Sequence, residues 1–188
     1  MKCRPFTIGL PDSDRGNRFG GKSPVSCENG GLYLLTCKME EDTEVSLFIN
    51  FDSDDSDIIW DGRDVVHESN SELISVITHS PALRWEGDAA SEGLPSYSLI
   101  AHAEQDDIGP DGLYGHHKFG GSPYFRRNTP LEKAGAGLLE KGYQHVLQLM
   151  FPDYLDGRIE ESWPFAEYGF HLFANRKSGV FVFKYCWG

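Results

Sequence analysis

Apolar and polar positions alternate with a period of two through most of the chain. Val45, Leu47, Ile49 and Phe51 are separated by polar or smaller residues, which is the pattern of a strand with one buried face. Similar runs occupy 32–37, 73–79, 97–102, 145–151, 168–174 and 180–186. Turn-forming clusters of Gly, Pro, Asn and Asp separate them, and the 21 glycines and 10 prolines supply many reversals of direction. Helical periodicity is scarce. Thr129-Pro130-Leu131 opens one helix to about Lys141, with Thr129 suited to the cap and Pro130 to the first turn. Gly135 and Gly137 weaken that helix. The pattern predicts an α+β, β-rich fold with one or two short helices.

One internal echo organises these elements. Arg18-Phe19-Gly20-Gly21-Lys22-Ser23-Pro24 recurs as Lys118-Phe119-Gly120-Gly121-Ser122-Pro123. Two strand candidates follow each copy, and Ser46-Leu47-Phe48-Ile49-Asn50 matches His171-Leu172-Phe173-Ala174-Asn175 in character. The repeated order predicts a pseudo-duplication: two related β units, at about 15–60 and 115–186, packed into a single domain over 1–188. Paired glycines permit positive φ or close backbone approach, and the proline stiffens the exit, so the motif is expected to build a turn.

Phe119-Gly120-Gly121-Ser122-Pro123, then Val146-Leu147-Gln148-Leu149, then Tyr168-Gly169-Phe170-His171-Leu172-Phe173 resembles the signature of the YwqG-like domains of unknown function. In that family a Gly-Gly-x-Pro turn precedes a strand with a Leu-Gln-apolar step, and a Gly-led apolar strand ending in Phe follows. The resemblance covers about 118–186, with a fainter half-copy at 18–51. The chain departs from the pattern at Tyr124-Phe125-Arg126-Arg127, where a Pro/Trp-rich stretch is expected, and at the polar Gln144 and His145. The resemblance implies a β-rich fold of two related halves. Relatives occur among toxin-neighbourhood genes of bacteria, which points towards an immunity role.

Charge changes the picture further. The net charge is −12, from 29 acidic and 17 basic residues, and it is unevenly spread. Residues 1–39 carry +3 and residues 118–188 carry +2, whereas residues 40–117 hold 19 acids against only Arg63 and Arg84. A field of this sign repels phosphate backbones, so nucleic acid is not an expected ligand. It steers a basic protein partner and raises its association rate. The densest stretch, Asp52-Ser53-Asp54-Asp55-Ser56-Asp57, lies between apolar runs and is followed by Trp60 and Asp61. Solubility alone accounts for scattered acids, but acids beside aromatics suit a protein-binding surface.

Familiar chemistry is missing. Nucleophile elbow, phosphate loop, dinucleotide fingerprint and His-Glu-x-x-His are all absent from the sequence. Cys3, Cys27, Cys37 and Cys186 form no Cys-x-x-Cys pair, and His116-His117 are adjacent, so no metal site and no cofactor are expected. An EF-hand placed at Asp52 puts Asp57 where glycine is needed and Arg63 where glutamate is needed. Glu104, Asp106, Asp107, Asp111, His116 and His117 share one loop-like stretch and form the alternative, a hydrolase-like acid–base site. His67, His79, His102, His145 and His171 read as structural. Tyr124 and Phe125, beside Arg126-Arg127, are expected to be partly exposed. The start of the chain carries no secretory apolar run and no stretch long enough for a membrane span, so a cytoplasmic protein is expected. Together these features predict a non-enzymatic protein-binding module: an immunity protein that neutralises a basic, nuclease-type bacterial toxin. Asp52, Asp54, Asp55, Asp57, Trp60 and Asp61 are the expected contacts. A generic adaptor domain is the blander alternative.

Overall fold

A computed structural model describes residues 2–9, 16–28, 31–49, 66–68, 74–83, 96–107, 117–125, 130–149, 168–175 and 180–187. Among the described residues, twelve strands and one helix follow in chain order: β1 (Lys2–Gly9), β2 (Arg18–Phe19), β3 (Leu32–Glu40), β4 (Thr43–Ile49), β5 (Val66–Glu68), β6 (Ile74–His79), β7 (Tyr97–Ala101), β8 (Gln105–Asp106), β9 (Lys118–Gly120), α1 (Pro130–Glu140), β10 (Gln144–Leu149), β11 (Tyr168–Asn175) and β12 (Val180–Trp187). Each of the seven alternating runs coincides with a strand. Strand β1 escapes the pattern because Pro5 reads as a breaker. Pro5 sits where β1 changes partner, from β9 over Cys3–Pro5 to β7 over Phe6–Gly9, and a residue without an N–H costs the ladder least there.

The strands pair antiparallel in the order β5-β12-β11-β10-β9-β1-β7-β2-β3-β4-β6, with β8 added beside β1. Covalent connectivity forces this sheet to curl. Strands β5 and β6 lie at opposite ends of the path, yet only residues 69–73 separate them in sequence. Laid flat, the path would span about 48 Å at the usual strand spacing. The link reaches about 22 Å at full extension. The result is a curled half-barrel whose inner face holds the main core, including Phe6, Ile8, Phe19, Leu35, Leu47, Leu99, Leu147 and Leu172.

The pairing register repeats. Arg18 opposes Thr36 and Thr36 opposes Ser46, while Lys118 opposes Gln148 and Gln148 opposes His171. One residue along, Phe19, Leu35 and Leu47 form a row, as do Phe119, Leu147 and Leu172. Both registers shift at matching places, between Tyr33 and Leu35 in β3 and between His145 and Leu147 in β10. The two Gly-Gly turns also match. Gly20 and Gly21 have φ of 62° and 71°, and Gly120 and Gly121 have φ of 68° and 73°, values that a side chain would strain. Apart from β5, which has no counterpart, the sheet path is unchanged when β1 exchanges with β7, β2 with β9, β3 with β10, β4 with β11 and β6 with β12. Thr7 opposite Ile100 marks the centre of that exchange.

Opposed residues share a face of a sheet, so each register carries two rows. The apolar rows turn inward. The rows built on Arg18 and on Lys118 turn outward and are nevertheless buried. Helix α1 covers the outer face of the second unit, where Phe125, Leu138 and Phe173 form a small satellite core with Tyr143 packed against it. The helix ends in a Schellman motif: Tyr143 N donates to Leu138 O and Gly142 N to Leu139 O, both at 3.0 Å, with Gly142 at φ 84°. Phe125 is thus buried, contrary to its expected exposure, because it fills the space between α1 and the His171 and Phe173 rings. No helix among the described residues is long and apolar enough to cross a membrane.

The two helix glycines give opposite expectations. A Cβ on Gly135 runs into the Phe125 ring, whereas one on Gly137 meets open space. Gly135→Ala should lower stability by about 1–3 kcal/mol through overpacking. Gly137→Ala should raise it by about 0.5–1 kcal/mol through helix propensity. Urea midpoints of the two variants check both signs.

Candidate functional site

The contacts singled out in sequence, Asp52, Asp54, Asp55, Asp57, Trp60 and Asp61, lie outside the described residues, in the connection between β4 and β5. Strand β4 is next to one end of the sheet path and β5 is the other end. Of the alternative acid–base stretch, Asp111 and His116 also lie outside the described residues. Its other members are tied into the fold. Lys2 Nζ bonds Asp106 at 2.8 Å, and Arg4 lies 4.0 Å from Glu104, both on the surface. Asp107 turns inward, bonds Lys118 Nζ at 3.1 Å and accepts the Ser122 N–H. His117 stacks on Phe6 with ring centres 5.3 Å apart.

The densest chemistry lies in the two outward rows. In the first unit Arg18 is fully buried and its guanidinium donates to Glu44 Oε2 at 3.2 Å, to Ala82 O at 3.2 Å and to Gly16 O at 3.0 Å. Beside it runs a chain of hydroxyls: Tyr33 to Thr36 at 2.7 Å, Thr36 to Ser46 at 2.8 Å, and Ser46 to His79 Nε2 at 2.8 Å. His79 Nδ1 faces the Ser80 carbonyl at 2.8 Å. A carbonyl only accepts, so Nδ1 carries the proton and Nε2 accepts from Ser46. The direction of every bond then follows, Tyr33 donating to Thr36 and Thr36 to Ser46. A serine hydroxyl bonded to an imidazole is a nucleophile's geometry. Ser46 has no exposed surface, however, so the pair closes a structural chain.

The second unit fills the matching positions differently. Lys118 is paired with Asp107, both side chains almost wholly buried. Gln148 Oε1 accepts the Tyr124 N–H at 2.9 Å. His145 Nδ1 faces the carbonyls of Gly120 at 3.1 Å and Gly121 at 3.2 Å, and its Nε2 lies 3.1 Å from His171 Nδ1. Two carbonyl acceptors fix the Nδ1 proton on His145, so its Nε2 accepts from His171. Burial, reinforced by the Lys118 charge, pushes the His145 pKa down to about 4, so the ring is neutral near pH 7.

Cys3, Cys27 and Cys37 are free thiols. Burial raises the pKa of Cys37 to about 12 and, with help from the Asp107 charge, also raises that of Cys3. Neither is a nucleophile at neutral pH. Among the described residues, no three His, Cys, Asp or Glu side chains converge as metal ligands. A cavity of about 350 Å³ opens where the start of β1, the end of β3, β9 and β10 meet, and it is lined in part by Cys3, Cys37, Phe119 and His145. No family model, curated protein or solved structure matches the chain.

Sequence inspection marked the basic residue before each Phe-Gly-Gly but not its partner. Nothing local in the sequence points from Arg18 to Glu44, which is 26 residues away and meets it only through the β3–β4 hairpin.

Two expectations follow. Glu44→Gln and Asp107→Asn each strip a buried cation of its counter-charge, and each should cost about 3–5 kcal/mol in chemical denaturation. For His145 the unfolded ring takes up a proton near pH 6.5 and the folded ring only near 4, so the unfolded state binds more protons in that window. Stability is therefore complete above about pH 6.5 and falls by up to about 1.4 kcal/mol per unit down to pH 4. Denaturant midpoints from pH 7 to 4 should show this slope flattened in His145→Gln.

Proposed function

We propose that this protein is a non-enzymatic protein-binding module, an immunity protein of the cytoplasm that neutralises a basic bacterial toxin. One observation carries the proposal: Ser46, His145, His171, Lys118 and Asp107 are withdrawn from water, whereas the described acids of the charge-rich segment include several exposed ones. Ser46 and His171 are fully buried, and Lys118 and Asp107 neutralise each other. By contrast Glu41, Asp42, Glu104 and Asp106 are exposed members of the segment 40–117, whose balance is −17. A basic cleft evolved for phosphates is complementary to such a surface, and encounter is accelerated by the long-range field.

In this proposal Asp52, Asp54, Asp55 and Asp57 supply the charge at the contact, and Trp60 with Asp61 anchors its edge. The two strand sets descend from one duplicated unit, and the chain is a YwqG-like domain. The matching registers, the matching bulges and the four left-handed glycines support the duplication. The acid–base alternative is less well supported, since Glu104, Asp106 and Asp107 all sit in ion pairs.

The test is kinetic. A pull-down from the native host should yield one stoichiometric basic partner. Replacing Asp52, Asp54, Asp55 and Asp57 together with Asn should slow its association by about tenfold or more, with steep salt dependence in the wild type. Unchanged association rates would remove this segment from the contact.

A further inference from the structure

We propose that the cavity between β1, β3, β9 and β10 binds a small anionic amphiphile of the medium-chain carboxylate class. The proposal stands apart from the partner-binding one, because none of Asp52, Asp54, Asp55, Asp57, Trp60 and Asp61 lines this cavity. The volume of about 350 Å³ falls in the range of small-molecule sites. Its apolar lining comes from Met39, Phe119 and Val146, with the thiols of Cys3 and Cys37. Its charged lining is Lys2, Arg4 and Lys38 against the single carboxylate of Glu104.

That ratio reverses the composition of the chain, in which acids outnumber bases by 29 to 17. Lys2 and Arg4 are held near Asp106 and Glu104, at 2.8 and 4.0 Å. Lys38 is exposed and makes no ion pair among the described residues, although its backbone is fixed by a 2.7 Å bond from Lys38 N to Asn17 Oδ1. One cation at the rim is thus left to a ligand, and Met39, Phe119 and Val146 offer contacts to an alkyl or aryl body within an otherwise polar lining. Anion and apolar chain are both required: the rim recognises the head and the lining receives the tail. The thiols and the His145 ring are neutral near pH 7, so the site is built for binding and not for attack on its occupant.

Octanoate and its neutral analogue octanol are the probes, titrated into the full chain by calorimetry at low ionic strength. Octanoate should bind with a dissociation constant of about 0.1–1 mM, ordinary for a ligand of about ten heavy atoms. Octanol should bind at least tenfold more weakly. Lys38→Glu, a substitution at an exposed position, should weaken octanoate at least tenfold with an unchanged melting temperature. Equal binding of octanol, or full octanoate affinity in Lys38→Glu, overturns the anionic assignment. No heat in the octanoate titration overturns the site itself.

Discussion

Two buried cations constrain this architecture more tightly than its apolar core does. Arg18 and Lys118 lie on the outward face of the sheet, withdrawn from water, and a charge in that position is tolerable only with a matched counter-charge. Glu44 answers the first and Asp107 the second. Because side chains alternate across a strand, a slip of one residue in β2 would drive Arg18 into the apolar core and bring Phe19 out. A core of Leu, Ile and Phe tolerates approximate packing, but an ion pair with partners 26 residues apart does not. The left-handed Gly-Gly turn that follows each cation leads the chain away as soon as the cation is placed.

Much of this was legible in the sequence. The alternation located seven strands, since a strand with one buried face must alternate, and Thr129-Pro130 located the start of the helix. The Phe-Gly-Gly echo pointed to repeated turns, and all four glycines have positive φ. Other features depended on distant partners. Strand β1 was hidden by Pro5, whose position at a change of partner is visible only once β7 and β9 are in place. Phe125 read as exposed because Arg126-Arg127 follows it. Its burial comes from a space opened by Gly135, which is ten residues further along. The cavity was illegible for the same reason, as its walls come from four strands spread between Lys2 and Val146.

The distribution of chemistry separates inside from outside. Among the described residues, Ser46, His145 and His171 are withdrawn from water, and there Lys118 and Asp107 neutralise each other. On the described surface, acids such as Glu41, Asp42, Glu104 and Asp106 stand exposed beside bases such as Lys2, Arg4, Lys22 and Lys38.

The matching positions of the two strand sets show how far one backbone plan can diverge in chemistry. Tyr33, Thr36 and Ser46 in the first become His145, Gln148 and His171 in the second, at the same registers and around the same bulge. The hydroxyl row, Tyr33 to Thr36 to Ser46, holds no imidazole in its interior. The imidazole row instead places two titratable rings 3.1 Å apart beneath Phe125, next to the Lys118 charge. A proton added there meets a buried cation and no compensating carboxylate beyond Asp107, which Lys118 already occupies. Two strand sets of matching register thus bury different chemistry, hydroxyls beside an Arg–Glu pair in one and imidazoles beside a Lys–Asp pair in the other.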